Sequence, residues 1–494
     1  MTATDTPVRP SIVATPRVRP LSMLRLLRIE LRRSPMVLIL PLVAALFWFD
    51  SYRPSTAQQP LWVLRTFWNM GQGDTIIDFG PFVAGMAAWI ASRDGRRRTA
   101  DLVTTMVRPR WTVRLAIWAA GAIWAAAAYL IFVGVLFGVY AYQGVQGQPP
   151  WWWVAVGATA VVAFSAAGFA AGTLFPSRYA APLAAFGGFL AMVTSSRIGF
   201  ASPTGWALIL PTNSHGNYDQ PDSGIFYPYL PDLPIARIIF LAGILAACLG
   251  LPGLPARASG RWLRRTAAVL TLAGVAATGT AVGLAGTARL GPHGMAIPAL
   301  HDAADDRPIL YTPACGLAAQ TPVCLNPAFR RYLPDVTTAL APVLAEVAGL
   351  PGAPQRATQV AAVYDGGDSR DAPAWTISGS PPVLRMPLGG EGSLPGRNGF
   401  QEGSMTTPRF ADILRVQFLS AFVGAGPTDD NPARQAVQAA LLQRIGLPFA
   451  GQPKLTGMAQ AQRLAALPAT AWRAWLTANL AALRSGDLTL DRVP

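Results

Sequence analysis

The side chains able to do covalent or acid–base chemistry are few, and they stand apart from one another. There are three histidines, His215, His293 and His301, and three cysteines, Cys248, Cys315 and Cys324. No H-E-x-x-H or G-x-S-x-G arrangement occurs, and no histidine follows position 301, so the familiar metalloprotease and serine-nucleophile sites are excluded. A phosphate-cradling G-x-x-x-x-G-K-[ST] loop needs a lysine, and the only one, Lys454 in GQPKLTG, does not fit. Asp365 and Asp368 in YDGGDSR, like His215 in NSHGNYDQ, read as turn and loop residues. Cys315 and Cys324 bracket a short polar loop in ACGLAAQTPVC, where a disulfide is the default in an oxidising compartment. A metal site there would want His293 or His301 close by, and the spacing matches no standard zinc pattern.

The elements that would position such residues are dominated by lipid-compatible sequence. Hydrophobic residues make up 52% of the chain and charged residues 13%, about half the usual share of a soluble domain. Seven apolar stretches approach the length that crosses a hydrocarbon core: Pro35 to Phe49, Ile76 to Ser92, Val113 to Tyr142, Trp152 to Phe175, Tyr179 to Thr194, Pro234 to Leu251 and Thr266 to Ala288. No small-residue cleavage site follows LVAALFWFD, so the first stretch is expected to remain as a span. Small residues recur in GATAVVAFSAAGFAAGTLF and LAGVAATGTAVGLAG, as helix packing in lipid requires. Asp74 and Asp78 lie near one end of the second stretch, and no chain of acidic residues or histidines marks an ion path.

Charge settles which partners to expect. The formal net charge is +15. Residues 1–289 hold 24 Arg against 10 acidic residues, whereas 290–494 hold 16 Lys plus Arg against 15. The excess therefore flanks the apolar stretches, and it points to a membrane surface and not to nucleic acid. With a cytoplasmic N-terminus, the inner segments carry 19 arginines and the outer ones five, an asymmetry that fixes a cytoplasmic N-terminus and an extracytoplasmic C-terminal domain. Trp151, Trp152 and Trp153 then sit at the outer interface. The near-absence of lysine reads as a GC-rich bacterial genome without mechanistic meaning.

Two basic segments stand out. In SMLRLLRIELRRSP, Arg25, Arg28, Glu30, Arg32 and Arg33 alternate with apolar residues, giving either a helix lying in the headgroup plane or a plain positive-inside flank. In SRDGRRRTADLVTTMVRPRWTVR, a helix through Thr99 would put Leu102 and Met106 on one side and Arg98 and Asp101 nearer the other, ended by Pro109. Such a helix suits docking into another protein's groove, and a solvated basic loop is the alternative.

RRRTADLVTTMVRPRWTVRLA resembles the loop between the second and third spans of ABC-2-type exporter permeases, and LRLLRIELRRSP is similar to that family's N-terminal connecting helix. The resemblance covers about residues 23–251 and implies a loop that docks on an ATP-binding subunit, with Arg98, Thr99, Asp101, Leu102, Thr104, Thr105, Met106, Pro109 and Arg110 as the coupling helix. The family's usual glycine before the threonine is here Arg98, and Met106-Val107-Arg108-Pro109 stands where a hydrophobic residue and proline are usual. The resemblance also implies short re-entrant helices around ASPTGWALILP, a second permease copy, and ATP with magnesium held by the partner subunit and not by this chain.

The expected architecture is an α-helical polytopic membrane protein with five parts. These are a basic amphipathic N-terminus (1–34), an ABC-2-like bundle of about six helices (35–251), a basic linker (252–265), a seventh span (266–289) and a small α+β domain (290–494). In that domain helices are expected at Asp335 to Ala348, Pro408 to Val423, Pro432 to Ile445 and Ala469 to Arg484, with Asp430 or Asn431 as N-cap before Pro432. QVAAVY and AWTISG read as strands. The expected function is export of an amphipathic or lipid-like substrate across the bacterial cell membrane without catalysis by this chain. The alternative is a membrane-anchored extracytoplasmic binding or sensing protein.

Overall fold

The computed structural model describes residues 23–42, 45, 61–62, 74–93, 110–201, 204–205, 209–210, 223–254, 261–291, 293–361, 374–388, 407–425, 431–447 and 457–494. The N-terminal half is helical: α1 (Met23–Arg33), α2 (Asp74–Ala91), α3 (Arg110–Tyr142), α4 (Trp151–Leu174), α5 (Ala180–Ala201), α6 (Asp232–Gly250) and α7 (Arg261–Gly286).

Among the described residues four helices have the length and apolarity to cross a membrane: α3, α4, α6 continued through Gly253, and α7. This is fewer than the seven spans expected. The apolar parts of α2 and α5, Phe79–Ala91 and Ala180–Ser195, are shorter, and most of the first expected span lies outside the described residues.

The bundle is held by close backbone approach. Gly168 and Gly172, four residues apart on α4, lie against Ala84 and Ala88 of α2, where an added Cβ would collide with the Ala84 and Ala88 backbone. On the other side Gly243 and Gly250 of α6 meet Gly274, Thr278 and Thr271 of α7. Those two threonines return their hydroxyls to the carbonyls of Gly274 and Ala267, at 3.0 and 2.9 Å, so both hydroxyls are satisfied within α7. Without a hydrophobic driving force between helices in lipid, small residues in register are the main source of contact.

The C-terminal half is α+β. Its five-stranded sheet has the order β3-β4-β5-β7-β6, with β3 (Ala314–Ala318), β4 (Thr321–Leu325), β5 (Arg356–Val360), β6 (Thr376–Ser378) and β7 (Val383–Pro387). β4, β5 and β7 are mutually parallel, and the edge strands β3 and β6 run antiparallel to their neighbours. A two-stranded ribbon, β1 (Arg289–Gly291) with β2 (Gly294–Ala296), connects α7 to this domain. Helices α8 (Leu333–Val347), α9 (Thr407–Val423), α10 (Pro432–Arg444), α11 (Met458–Ala465) and α12 (Ala469–Ser485) pack beside the sheet. Their apolar residues recur at helical spacing: Phe410, Leu414, Phe418 and Phe422 on α9, and Trp472, Leu476, Leu480 and Leu483 on α12, all buried. Asn431 caps α10, its side-chain oxygen accepting from the N–H groups of Ala433 and Arg434 at 2.9 and 3.2 Å.

Four helices of the domain end on an arginine from elsewhere in the chain. Arg473 donates to Ala348 O beyond α8, Arg484 to Phe422 O of α9, Arg444 to Ala465 O and Leu467 O at α11, and Arg434 to Leu483 O and Arg484 O of α12, at 2.7 to 3.1 Å. The last carbonyls of a helix lack internal partners and carry partial negative charge, so a guanidinium is matched to both needs. The arginine bias therefore has a structural use that composition alone does not reveal.

Cys315 and Cys324 face each other across β3 and β4 and form a disulfide, with Cα atoms 4.1 Å apart. The intervening residues form a hairpin instead of the loop expected from sequence. The β5 strand begins at Arg356, three residues before QVAAVY, and β7 and α11 had no counterpart in the expected elements.

Candidate functional site

The bundle has two chemically distinct ends. At one end the chain leaves α2, enters α3, turns from α4 into α5 and passes from α6 to α7. Arg93, Arg110, Arg114, Arg178, Arg261, Arg264 and Arg265 flank these three connections. Packing places the connections together: Gly172 of α4 sits on Ala88 of α2, Gly253 on both Ala267 of α7 and the Trp111 ring, and α4 also touches the turn at 251–253. Trp111 anchors the start of α3, for its indole N–H donates to the Leu249 carbonyl of α6 at 3.2 Å, and its side chain is buried.

Of the residues expected to form the docking helix, Arg110 opens α3. Arg98, Thr99, Asp101, Leu102, Thr104, Thr105, Met106 and Pro109 lie outside the described residues. What is placed is their frame: the ends of the 94–109 connection are set at the arginine-rich end of the bundle.

The amphipathic N-terminal segment forms α1, with Arg25, Arg28, Arg32 and Arg33 exposed and Glu30 half-buried. It packs along α3, where the Trp124 indole N–H donates to the Leu31 carbonyl at 2.8 Å, one of the last-turn carbonyls without an internal partner. That contact is about 20 Å from the start of α3 at 1.5 Å per residue.

The opposite end is aromatic and carries the C-terminal domain. Trp62 packs edge-on against Phe137 and Tyr140, and Trp153 against Tyr229. Leu61, Trp153, Ile225, Phe226 and Tyr229 belong to the same buried apolar cluster as the domain's sheet and helices. Ile309 N–H donates to the Phe226 carbonyl at 2.8 Å, and Ile297 is fully buried among residues of α4, α6 and α7. In ASPTGWALILP, Ile209 joins that same cluster and Gly205 lies against Ala285 of α7; most of this expected re-entrant stretch lies outside the described residues.

One polar cluster sits at this junction. Asp232, the first residue of α6, is fully buried, and its Oδ2 accepts from Ile297 N–H at 2.7 Å and lies 3.2 Å from His301 Nδ1. His301 Nε2 in turn meets Asp306 Oδ2 at 3.1 Å. The hydrogen bond to Asp306 and the negative charge of Asp232 raise the imidazole pKa above its ordinary value, against a smaller opposing effect of burial. Partial burial lifts the Asp305 carboxyl, reinforced by Asp302 and Asp232. Sequence reasoning weighed His301 only as a partner for the cysteines; the signal available was the HDAADD run, and nothing in it names Asp232, 69 residues upstream of His301.

No protein-family model matches the chain, and neither does any curated protein or solved structure. Among the described residues no group of three or more His, Cys, Asp or Glu is placed to hold a metal ion.

Proposed function

We propose that the chain is the membrane-spanning permease subunit of an ATP-driven exporter of the ABC-2 type, acting on an amphipathic or lipid-like substrate. The observation that carries this reading is the position of the 94–109 connection, whose sequence resembles that family's coupling loop and whose two ends lie at the arginine-rich end of the bundle. Arginine resists translocation in short loops, so that end faces the cytoplasm and the aromatic end with its attached domain faces outward. The disulfide suits an oxidising outer compartment. Counting the two shorter apolar helices and the stretch beginning at Pro35 with the four long helices gives seven crossings.

In this reading a separate cytoplasmic ATPase carries ATP and magnesium and docks on Arg98 to Arg110. Its closure pushes the bundle between inward- and outward-open states, with a second permease copy completing the path. Trp111, tied to Leu249, is the first rigid point a push on the loop would meet.

The test is purification of the tagged chain from its own membranes in mild detergent. A stoichiometric ATP-binding subunit that is lost from the L102D/M106D double variant is the expected result. Association unchanged by both substitutions would overturn the docking assignment, and the absence of any nucleotide-hydrolysing subunit would overturn the exporter reading.

A further inference from the structure

The segment leading from α7 into the C-terminal domain meets the bundle at an imidazole ring, beside the buried Ile297. Asp232 is fully enclosed; one of its oxygens holds the Ile297 amide and faces His301, and the other has no partner among the described residues. It is the first residue of α6, at the N-terminal end of that helix. Asp306, by contrast, is 45% exposed, and His301 between them is 22% exposed.

A neutral imidazole has one N–H and one bare nitrogen. It satisfies Asp232 or Asp306, and the other carboxylate then meets a lone pair at hydrogen-bond distance. A protonated ring places its charge between the two carboxylates, Nε2 on Asp306 at 3.1 Å and Nδ1 3.2 Å from Asp232 in ion-pair but not hydrogen-bond geometry. The charged groups bearing on His301 are Asp232 from α6 and Asp306 from its own turn; Asp305 is acted on by Asp302, Asp232, Asp306 and His301. The other histidine of this region, His293, stacks on Tyr227 with ring centroids 3.9 Å apart.

We infer that His301 is a proton-operated latch: protonated and steadied by Asp306, it pairs with Asp232 and holds the 301–306 turn against the N-terminal end of α6, and on losing its proton it gives up the charge pairing with Asp232. Because the folded state raises the imidazole pKa from 6.5, the clamp contributes its full stability below about 6.5 and loses it as pH rises through the higher folded value. Opening of the junction is therefore an alkaline-side event, and it is independent of whether the chain exports anything.

The test is hydrogen exchange of the full chain in detergent from pH 6 to 9, read on peptides covering 293–309 and corrected for the intrinsic pH dependence of exchange. The native chain is expected to lose protection by up to tenfold per pH unit above about 6.5, as one released proton requires, until the folded pKa is passed. H301Q is expected to give a flat profile, and D306N a loss that starts at the same pH and levels off sooner, because its folded pKa is less raised. A native profile that is flat, or an identical slope in H301Q, would overturn the latch. Should H301Q fail to fold, the exposed-site variant D306N and direct NMR titration of the three 13C-labelled histidines decide the matter. His301 titrating at or below 6.5, or unmoved by D306N, overturns it equally.

Discussion

Replacing Arg444 with alanine removes a side chain that ties α8, α11 and α12 of the C-terminal domain together. Its Nε donates to Glu346 Oε1 at 2.7 Å, its Nη1 to Ala465 O and Leu467 O at 3.1 and 3.0 Å, and its guanidinium lies 5.1 Å from the Trp472 ring centre. A hydrogen bond to a charged group contributes about 1.5–3 kcal/mol, but bonds that share one guanidinium do not add. Losing one partner of a buried pair costs roughly 3–5 kcal/mol. Glu346 is 23% exposed and regains water when Arg444 is gone, so the lower end of that range, about 3 kcal/mol, applies. Hydrogen exchange of the full chain in detergent reads the effect locally. Peptides from α11 and α12 are expected to open about a hundredfold more readily, at about 1.4 kcal/mol per factor of ten, while peptides from α4 stay unchanged. Arg444→Lys retains the charge but cannot hold Glu346 and two carbonyls with one fork, so it should recover less than half of the loss. A change under about threefold in α11 and α12 would refute the argument that these carbonyls depend on Arg444, and an equal change in α4 would refute its locality.

Two further outcomes follow from the packing and the crosslink. Gly168→Val drives a side chain into the Ala84 backbone at the α2–α4 seam and should cost at least about 2–3 kcal/mol, seen as a lower thermal midpoint in detergent; exposed Gly279→Val, with nothing near its Cβ, should leave that midpoint within a degree or two. Reducing the disulfide opens a loop closed by residues nine apart and should destabilise the β3–β4 hairpin by about 2–3 kcal/mol, measured as faster exchange at Val323 and Leu325; a C315A/C324A chain should show the same rates with and without reductant.

The sequence made the long elements legible wherever a single physical signal dominated. Runs such as Trp151–Leu174 are apolar all round, so they declare a helix without any need of neighbours. Asn431-Pro432 announced the start of α10 because the cap and the first-turn proline are local features. The short strands were harder. Val383–Pro387 contains an arginine and ends in proline, and only its place between β5 and β6 makes it a strand. Cys315 and Cys324 suggested a crosslink, yet the hairpin joining them depends on the Ala314–Leu325 register, which composition does not encode. The junction cluster was hidden for a plainer reason: Asp232 and His301 meet only after the α6–α7 pair has folded back on itself.

Arginine is common to both halves, and it serves each by a different property. In the bundle it is the charge that counts: desolvating a guanidinium is costly, so most arginines collect beside the connections at one end, with Arg237 buried in α6 as an exception. In the domain it is the shape that counts: five donors in a planar fork reach two carbonyls at once, as Arg434 and Arg444 do at the ends of α12 and α11. Lysine would meet the first need nearly as well and the second poorly, because one ammonium offers no fixed fork. The domain thus ends several of its helices on side chains distant in sequence, so its helices support one another. That dependence ties Arg484, which holds both Phe422 O and Gly352 O, to the same cooperative unit as Arg444, and it explains why the C-terminal α12 closes a core begun at β3.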